Sequence, residues 1–170
     1  NDAIQLLGTY KTLSFSASYN YIRNTATTAL ARHETKADVL LKRTINIPSY
    51  STLSLGLNWS DSFGPYSPSI EVGFQKQLLK YSGLTFDRPM LELSTSHYVE
   101  LGKGWSVNAD ASYSSRRHHL FSEYSAKWSY SLMLSKEIGN FTFDLSLQNL
   151  FLDNKQYRTR RMAGIFAQEI

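Results

Sequence analysis

The chain has 170 residues, enough for one domain with a real core or for a piece of something larger, and its 18 Lys and Arg against 14 Asp and Glu leave a formal charge of +4. So mild a surplus argues against the saturated basic stripe of a nucleic-acid binder, and the lack of cysteine excludes disulfides, thiolate nucleophiles and Cys-containing zinc sites. No apolar run approaches the ~18 residues of a transmembrane helix, no signal peptide opens the sequence, and a start at Asn1 without Met predicts a processed or excised polypeptide.

Aromatic residues make up 14% of the chain, Ser and Thr abound, and the i, i+3, i+4, i+7 pattern of an amphipathic helix is nearly missing. The pattern is all-β. A first, loosely alternating run covers residues 3–8. In the second, Leu13, Phe15, Ala17, Tyr19 and Tyr21 alternate with Ser14, Ser16, Ser18 and Asn20. Residues 24–36, with Arg32, His33, Glu34 and Lys36, read as a long charged connection. A run at 37–47 precedes residues 48–51, Pro-Ser-Tyr-Ser, which read as a tight turn. Leu53, Leu55, Leu57 and Trp59 then alternate with Ser54, Gly56, Asn58 and Ser60, before a second charged connection at 61–66.

A run at 68–78 follows. If residues 52–61 ascend and 89–101 descend, an even number of strands must separate them, so a poor strand is expected at 82–88 with Leu84 and Phe86 outward. After residues 90–101 comes the turn Gly102, Lys103, Gly104, and then Trp105, Val107, Ala109, Ala111 and Tyr113 alternate with Ser106, Asn108, Asp110 and Ser112. Residues 115–122 form a third charged connection. Trp128, Tyr130, Leu132 and Leu134, the turn Ile138, Gly139, Asn140, and Phe141, Phe143, Leu145 and Leu147 complete the clean pattern, with a last run at 157–169. The expectation is an antiparallel up-and-down meander of about ten to eleven strands in one domain, residues 1–170.

Alternation alone fits a soluble lipocalin-like ligand-binding barrel as well as a transmembrane one. Three details favour lipid. The runs reach the ~9–11 residues of a membrane-crossing strand, longer than the globular norm of about 5–6. Their polar face is rich in Ser, Thr, Asn and Gln and poor in Lys and Glu, as a wet lumen requires. Aromatics gather near strand ends, at Tyr19, Tyr21, Trp59, Trp105, Tyr113, Tyr124, Trp128, Phe141 and Phe151, where membrane interfaces would lie. On this reading Ser106, Asn108, Asp110, Ser112, Asp144 and Gln148 face the lumen, and Asp110 and Asp144 find Lys or Arg partners across it. Arg116 and Arg117, with His118 and His119, lie in an external loop. There the two arginines are candidate contacts for lipopolysaccharide headgroups, beside the plainer reading of solvated loop charge.

Within this pattern, "RPMLELSTSHYVELGKGWSVNADASYSS" followed by "YSLMLSKEIGNFTFDLSLQNLF" resembles the C-terminal barrel region of Bacteroidetes outer-membrane proteins similar to TonB-dependent receptors. The features are a Pro opening a descending strand, a Leu-Gly-Lys-Gly-Trp turn, a Tyr-Ser strand end, a Lys-containing strand end before a short turn, and an alternating strand closing in Asn-Leu-Phe. The resemblance runs from about residue 13 to the end. It implies the wall and extracellular loops of a barrel with about 22 strands, which surrounds a plug and takes up nutrients or metal chelates. It also implies a periplasmic energy-coupling protein and a surface lipoprotein as partners, with lipid and lipopolysaccharide around the barrel and no nucleic acid.

The chain departs from that family. About 22 strands of ten residues would need about 220 residues in strands alone, no plug-like segment is present, and Ile170 is not the terminal aromatic typical of such barrels. A C-terminal fragment of a larger barrel is therefore expected, with a self-contained small barrel as the alternative. The edge strands of a fragment must pair with the remainder of the barrel, another copy or each other. No catalytic signature is found: there is no Gly-x-Ser-x-Gly elbow and no phosphate loop, and His33-Glu34 continues as Thr35-Lys36-Ala37 rather than to a second His. No enzyme, cofactor or metal is expected, although a Ser paired with His97 is weighed.

Overall fold

A computed structural model describes residues 1–32, 40–150, 158–162 and 165–169. The described residues form strands and turns without a helix. In chain order the strands are β1 (Asp2–Tyr10), β2 (Leu13–Arg32), β3 (Leu40–Ser60), β4 (Tyr66–Tyr81), β5 (Leu84–Phe86), β6 (Met90–Gly102), β7 (Trp105–Ser114), β8 (Arg117–His119), β9 (Ser122–Tyr124), β10 (Lys127–Ile138), β11 (Phe141–Gln148), β12 (Arg158–Met162) and β13 (Ile165–Glu169).

Antiparallel pairing links them in the order β1-β2-β3-β4-β6-β7-β10-β11, a meander that forms one wall, and β5 pairs only with the end of β4. The wall is open, with β1 and β11 at its two edges. A separate small sheet has the order β13-β12-β9-β8. All-β architecture and antiparallel meander are thus as the alternation implies.

Tight turns close one end of the wall. Lys11, Lys103, Gly104 and Gly139 take positive φ of 54°, 52°, 74° and 61°. At Gly104 a Cβ would sit 2.6 Å from the Glu137 carbonyl oxygen, so only glycine lets the β6–β7 turn approach β10 and accept the Glu137 N–H at 2.8 Å. Residues 61–65 close the same end: Phe63 N–H donates to Tyr66 O at 2.7 Å and Tyr66 N–H returns to Phe63 O at 3.2 Å. This corrects the reading of 61–66 as a long outer connection.

The upper half of the β2–β3 hairpin brings further corrections. The described part of the run at 37–47, from Leu40, and the run at 53–60 are one strand, β3, and residues 48–51 are not a turn. The β2–β3 ladder extends from Leu13↔Trp59 to Arg32↔Leu40 and lacks only the pair of Asn24 with Pro48, where Asn24 has φ 53°. Pro48 is tolerated because β4 has already left β3, their last pair being Ser51↔Leu78, so no neighbour on that side needs an N–H. Residues 24–32 accordingly belong to β2, while His33, Glu34 and Lys36 lie outside the described residues.

Because β3 runs toward the tight-turn end, the parity argument for a full strand at 82–88 disappears. Only β5 forms there, folded back on β4 through Leu79↔Phe86, and β6 then pairs directly with β4. The described residues of the run at 157–169 form two short strands, β12 and β13, and β12 also pairs with β9 across the excursion between β7 and β10. Phe151 lies outside the described residues.

Candidate functional site

Register decides which side chains share a face. Asp110 stands opposite Ser96 on β6 and Ser131 on β10, Ser112 opposite Ser94 and Ser129, and Ser106 opposite Glu100 and Ser135. Gln148 stands opposite Ser131, and Asp144 opposite Ser135. Farther along, Glu71 stands opposite Asn58 and Ser94, and Gly56 opposite Gly73 and Ser16. One face of the wall is therefore hydroxyl, amide and carboxylate from β2 to β11. That face is concave, because one cavity of about 400 Å³ takes Asn58 of β3, Glu71 of β4, Ser94 of β6, Asp110 of β7, Ser131 of β10 and Gln148 of β11 into its lining. A flat sheet cannot surround a cavity with side chains from so many neighbours.

Within it, Asp110 Oδ2 accepts from Asn108 Nδ2 at 2.8 Å and from Ser131 Oγ at 2.9 Å, and Asn108 Oδ1 accepts from Ser96 Oγ at 3.3 Å. Ser112 and Ser129 share a hydroxyl bond of 2.6 Å. Neutral donors hold Asp110, in place of the Lys or Arg expected across the lumen. Of the residues singled out in the sequence, Asp110, Ser112 and Gln148 line the cavity and Asn108 binds one of them. Ser106 and Asp144 stand nearer the tight-turn end.

Sequence reading passed over Glu71 and Glu92, which line a smaller cavity together with Gly73. A Cβ on Gly73 would stand 3.4 Å from the Glu92 Cβ, so the glycine leaves room for that carboxylate. The alternation Ser69, Glu71, Gly73, Gln75, Gln77 is present in the sequence, but Pro68 and Lys76 on the other face blur it.

The convex face is apolar. Leu55, Leu93, Leu132 and Leu145 are all exposed on it, as are Trp105 at 41% and Trp128 at 56%. This sets aside a soluble domain with the tryptophans in a central dry core. Trp105 and Tyr113 bracket β7 eight residues apart, about 26 Å along the strand. At the usual strand tilt of about 35–45° this rises about 20 Å, within the apolar band of outer-membrane barrels, about 25 Å tall. Aromatics mark both margins: Tyr113 packs on Trp128 with centroids 4.5 Å apart, and at the other end the Lys136 ammonium sits over the Trp105 ring.

One polar chain interrupts that face near the tight turns. Thr95 Oγ1 donates to Ser69 O at 3.1 Å, so it accepts from His97 Nε2–H at 2.9 Å, and His97 Nδ1 then accepts the Tyr66 hydroxyl at 2.6 Å. The tautomer follows from the acceptor at its end. His97 partners Tyr66 and Thr95 rather than a serine, and every polar atom of the chain is satisfied, as an apolar surrounding demands.

Arg116 and Arg117 part company. Arg116 is exposed between β7 and β8, whereas Arg117 is half-buried with its guanidinium over the Tyr124 ring at 5.2 Å and Nη1 reaching Ser114 Oγ at 3.5 Å. His118 Nδ1 accepts the Arg88 N–H at 3.0 Å, and Arg88 pairs with Glu123.

A curved meander with an apolar convex face, aromatic margins and a polar concave face is the organisation of a membrane barrel wall. The model of the outer membrane protein beta-barrel family matches residues 1–170. The chain belongs to that family. No curated protein and no solved structure matches it. Membership gives the location, the bacterial outer membrane, and with it a solvent for each face: lipid for the convex side and water for the concave one.

Proposed function

We propose that this chain supplies wall and outer loops to a receptor-like uptake pore, similar to the barrel of TonB-dependent receptors, for nutrients or metal chelates. The observation that carries the reading is the polar cavity wall running from β3 to β11 beneath an apolar outer surface. A structural anchor would not need a continuous hydroxyl and carboxylate path on its inner side. The tight-turn end faces the periplasm and the β8–β9 end the cell exterior, the usual arrangement of such barrels. We infer a Bacteroidetes source and uptake driven from the inner membrane through a periplasmic coupling protein, on the strength of the Leu-Gly-Lys-Gly-Trp turn and the Asn-Leu-Phe strand end. A surface lipoprotein fits the same reading. The wall itself performs no chemistry: its carboxylates are held by, or face, hydroxyls and amides, which suits passage of a polar solute.

The edges at β1 and β11 must be paired in lipid, by the remainder of a larger barrel in this proposal. The test is ion conduction by the intact protein in planar bilayers. Glu71, Glu92 and Asp110 give the path a preference for cations, so the triple variant E71Q/E92Q/D110N should lose most of that preference while conductance remains. An unchanged selectivity would remove this face from the solute path, and uptake that survives a protonophore would remove the energised mechanism.

A further inference from the structure

Above the cavity the wall's inner face changes character. Gln77 and Leu79 continue the side of Glu71, Gly73 and Gln75, since Gln75 stands opposite Ser54 and Gln77 opposite Thr52 on the polar face of β3. Yet Gln77 is only 5% exposed and Leu79 is fully buried. What covers them is the chain excursion between β7 and β10. Gln77 Nε2 donates to Phe86 O at 3.0 Å and to Leu120 O at 3.1 Å, and its Oε1 accepts the Leu120 N–H at 2.7 Å. Leu120, at φ 50°, is in the turn between β8 and β9. Phe121 and Phe86 complete a buried cluster with Leu79 and Ile47, against which Tyr50 also packs. A lumen-side residue thus grips the tip of an external hairpin.

We propose that the β8–β9 hairpin, with the small sheet it carries, is a cap seated on the lumen side of the wall across the outer mouth of the path, and that Gln77 is the latch holding it. The proposal rests on the pore reading only for its consequence in transport, since the seating follows from register and hydrogen bonds. The Leu120 N–H and carbonyl, and the two Gln77 groups that bind them, would be stranded if the hairpin lifted without water reaching them, while the Phe86 carbonyl of β5 would keep its bond. The latch therefore favours a closed mouth, and the second contact set, Arg88 with Glu123 and the Arg88 N–H with His118 Nδ1, holds the β5–β6 connection to the same hairpin. Backbone pairing of β12 with β9, and the approach of β12 and β13 to β2, carry the small sheet from the β4 side of the mouth toward the β2 side.

The experiment uses the intact protein in living cells, with any cysteine outside residues 1–170, which have none, first replaced by serine. Ser94→Cys, on the cavity wall, reports access through labelling by a membrane-impermeant maleimide. Gln77→Leu should speed that labelling about fivefold or more. Arg88→Cys with His118→Cys, whose main chains meet through the His118 N–H and Arg88 O at 3.5 Å, should slow it when oxidised and restore it when reduced. If Gln77→Leu fails to fold, the oxidised and reduced states of the cysteine pair decide alone. Equal labelling in every state would overturn the cap. Swelling of proteoliposomes in arabinose, read on the same variants, addresses the pore separately. Labelling that changes while swelling does not would leave the cap standing and sink the pore.

Discussion

On the wall, Leu55, Leu93, Leu132 and Leu145 stand exposed on the convex side, whereas Ile47 and Leu79, a few residues higher on β3 and β4, are wholly buried beside Phe86 and Phe121. The two regions treat apolar side chains in opposite ways. The wall has no dry interior because one face is solvated by lipid and the other by water, so each strand needs only a clean alternation. The β8–β9 turn instead packs a buried core together with the upper ends of β3 and β4 and with β5. Wall residues are specified locally and the upper cluster only by partners far apart in sequence.

The largest effect should come from removing a piece of that core. Phe121 packs edge-on against both Tyr81 and Phe86 with centroids 5.2 Å apart. Phe121→Ala should cost the upper cluster about 3–5 kcal/mol, opening residues 115–126 to external protease while the barrel keeps its resistance to detergent. Loss of both together would mean that the two regions do not fold separately.

A smaller effect is expected on the wall, and it tests the solvent of each face. Leu145→Arg on the convex side should cost about 2–4 kcal/mol if near the bilayer midplane, measured by urea unfolding in lipid vesicles. Ser146→Arg, one residue on and facing the lumen, should stay within about 0.5 kcal/mol. Equal penalties would remove the distinction between the faces.

Much of the wall was legible in the sequence because β-strands alternate faces with a period of two, and an eight-residue run such as Phe141–Gln148 displays four apolar and four polar positions without exception. The polar path past Asp110 followed from the same rule. Residues 48–51 misled because Pro and Ser carry turn propensity whatever their setting. That β4 departs at Ser51, freeing Pro48 from a ladder bond on that side, is a fact of pairing no local pattern contains. The upper cluster was illegible for a related reason. β5, β8 and β9 have three residues each, too few for a period, and Gln77 reaches Leu120 across 43 positions. His97 looked like a candidate base until its neighbours Tyr66 and Thr95 were seen to occupy both ring nitrogens.

The smallest effect falls where the two regions join, at Arg116 and Arg117, adjacent in sequence and unlike in setting. Arg116 is exposed between β7 and β8, at the end of the wall that the proposed orientation gives to the outer leaflet. Arg117 opens β8, and its guanidinium is committed to the Tyr124 ring and to Ser114. One arginine near an anionic surface contributes about 1 kcal/mol, roughly fivefold in binding, and salt screens it within about 10 Å at 0.1 M. Arg116→Ser should therefore weaken association with lipopolysaccharide-containing bilayers about fivefold at low salt, with the difference shrinking as salt rises, and leave protease sensitivity unchanged. Arg117→Ser should do the reverse, loosening the β8–β9 hairpin through the lost cation–π contact and altering bilayer binding little. If the two variants behaved alike, neighbouring residues would not belong to differently built regions, and the headgroup contact would reduce to loop charge in water.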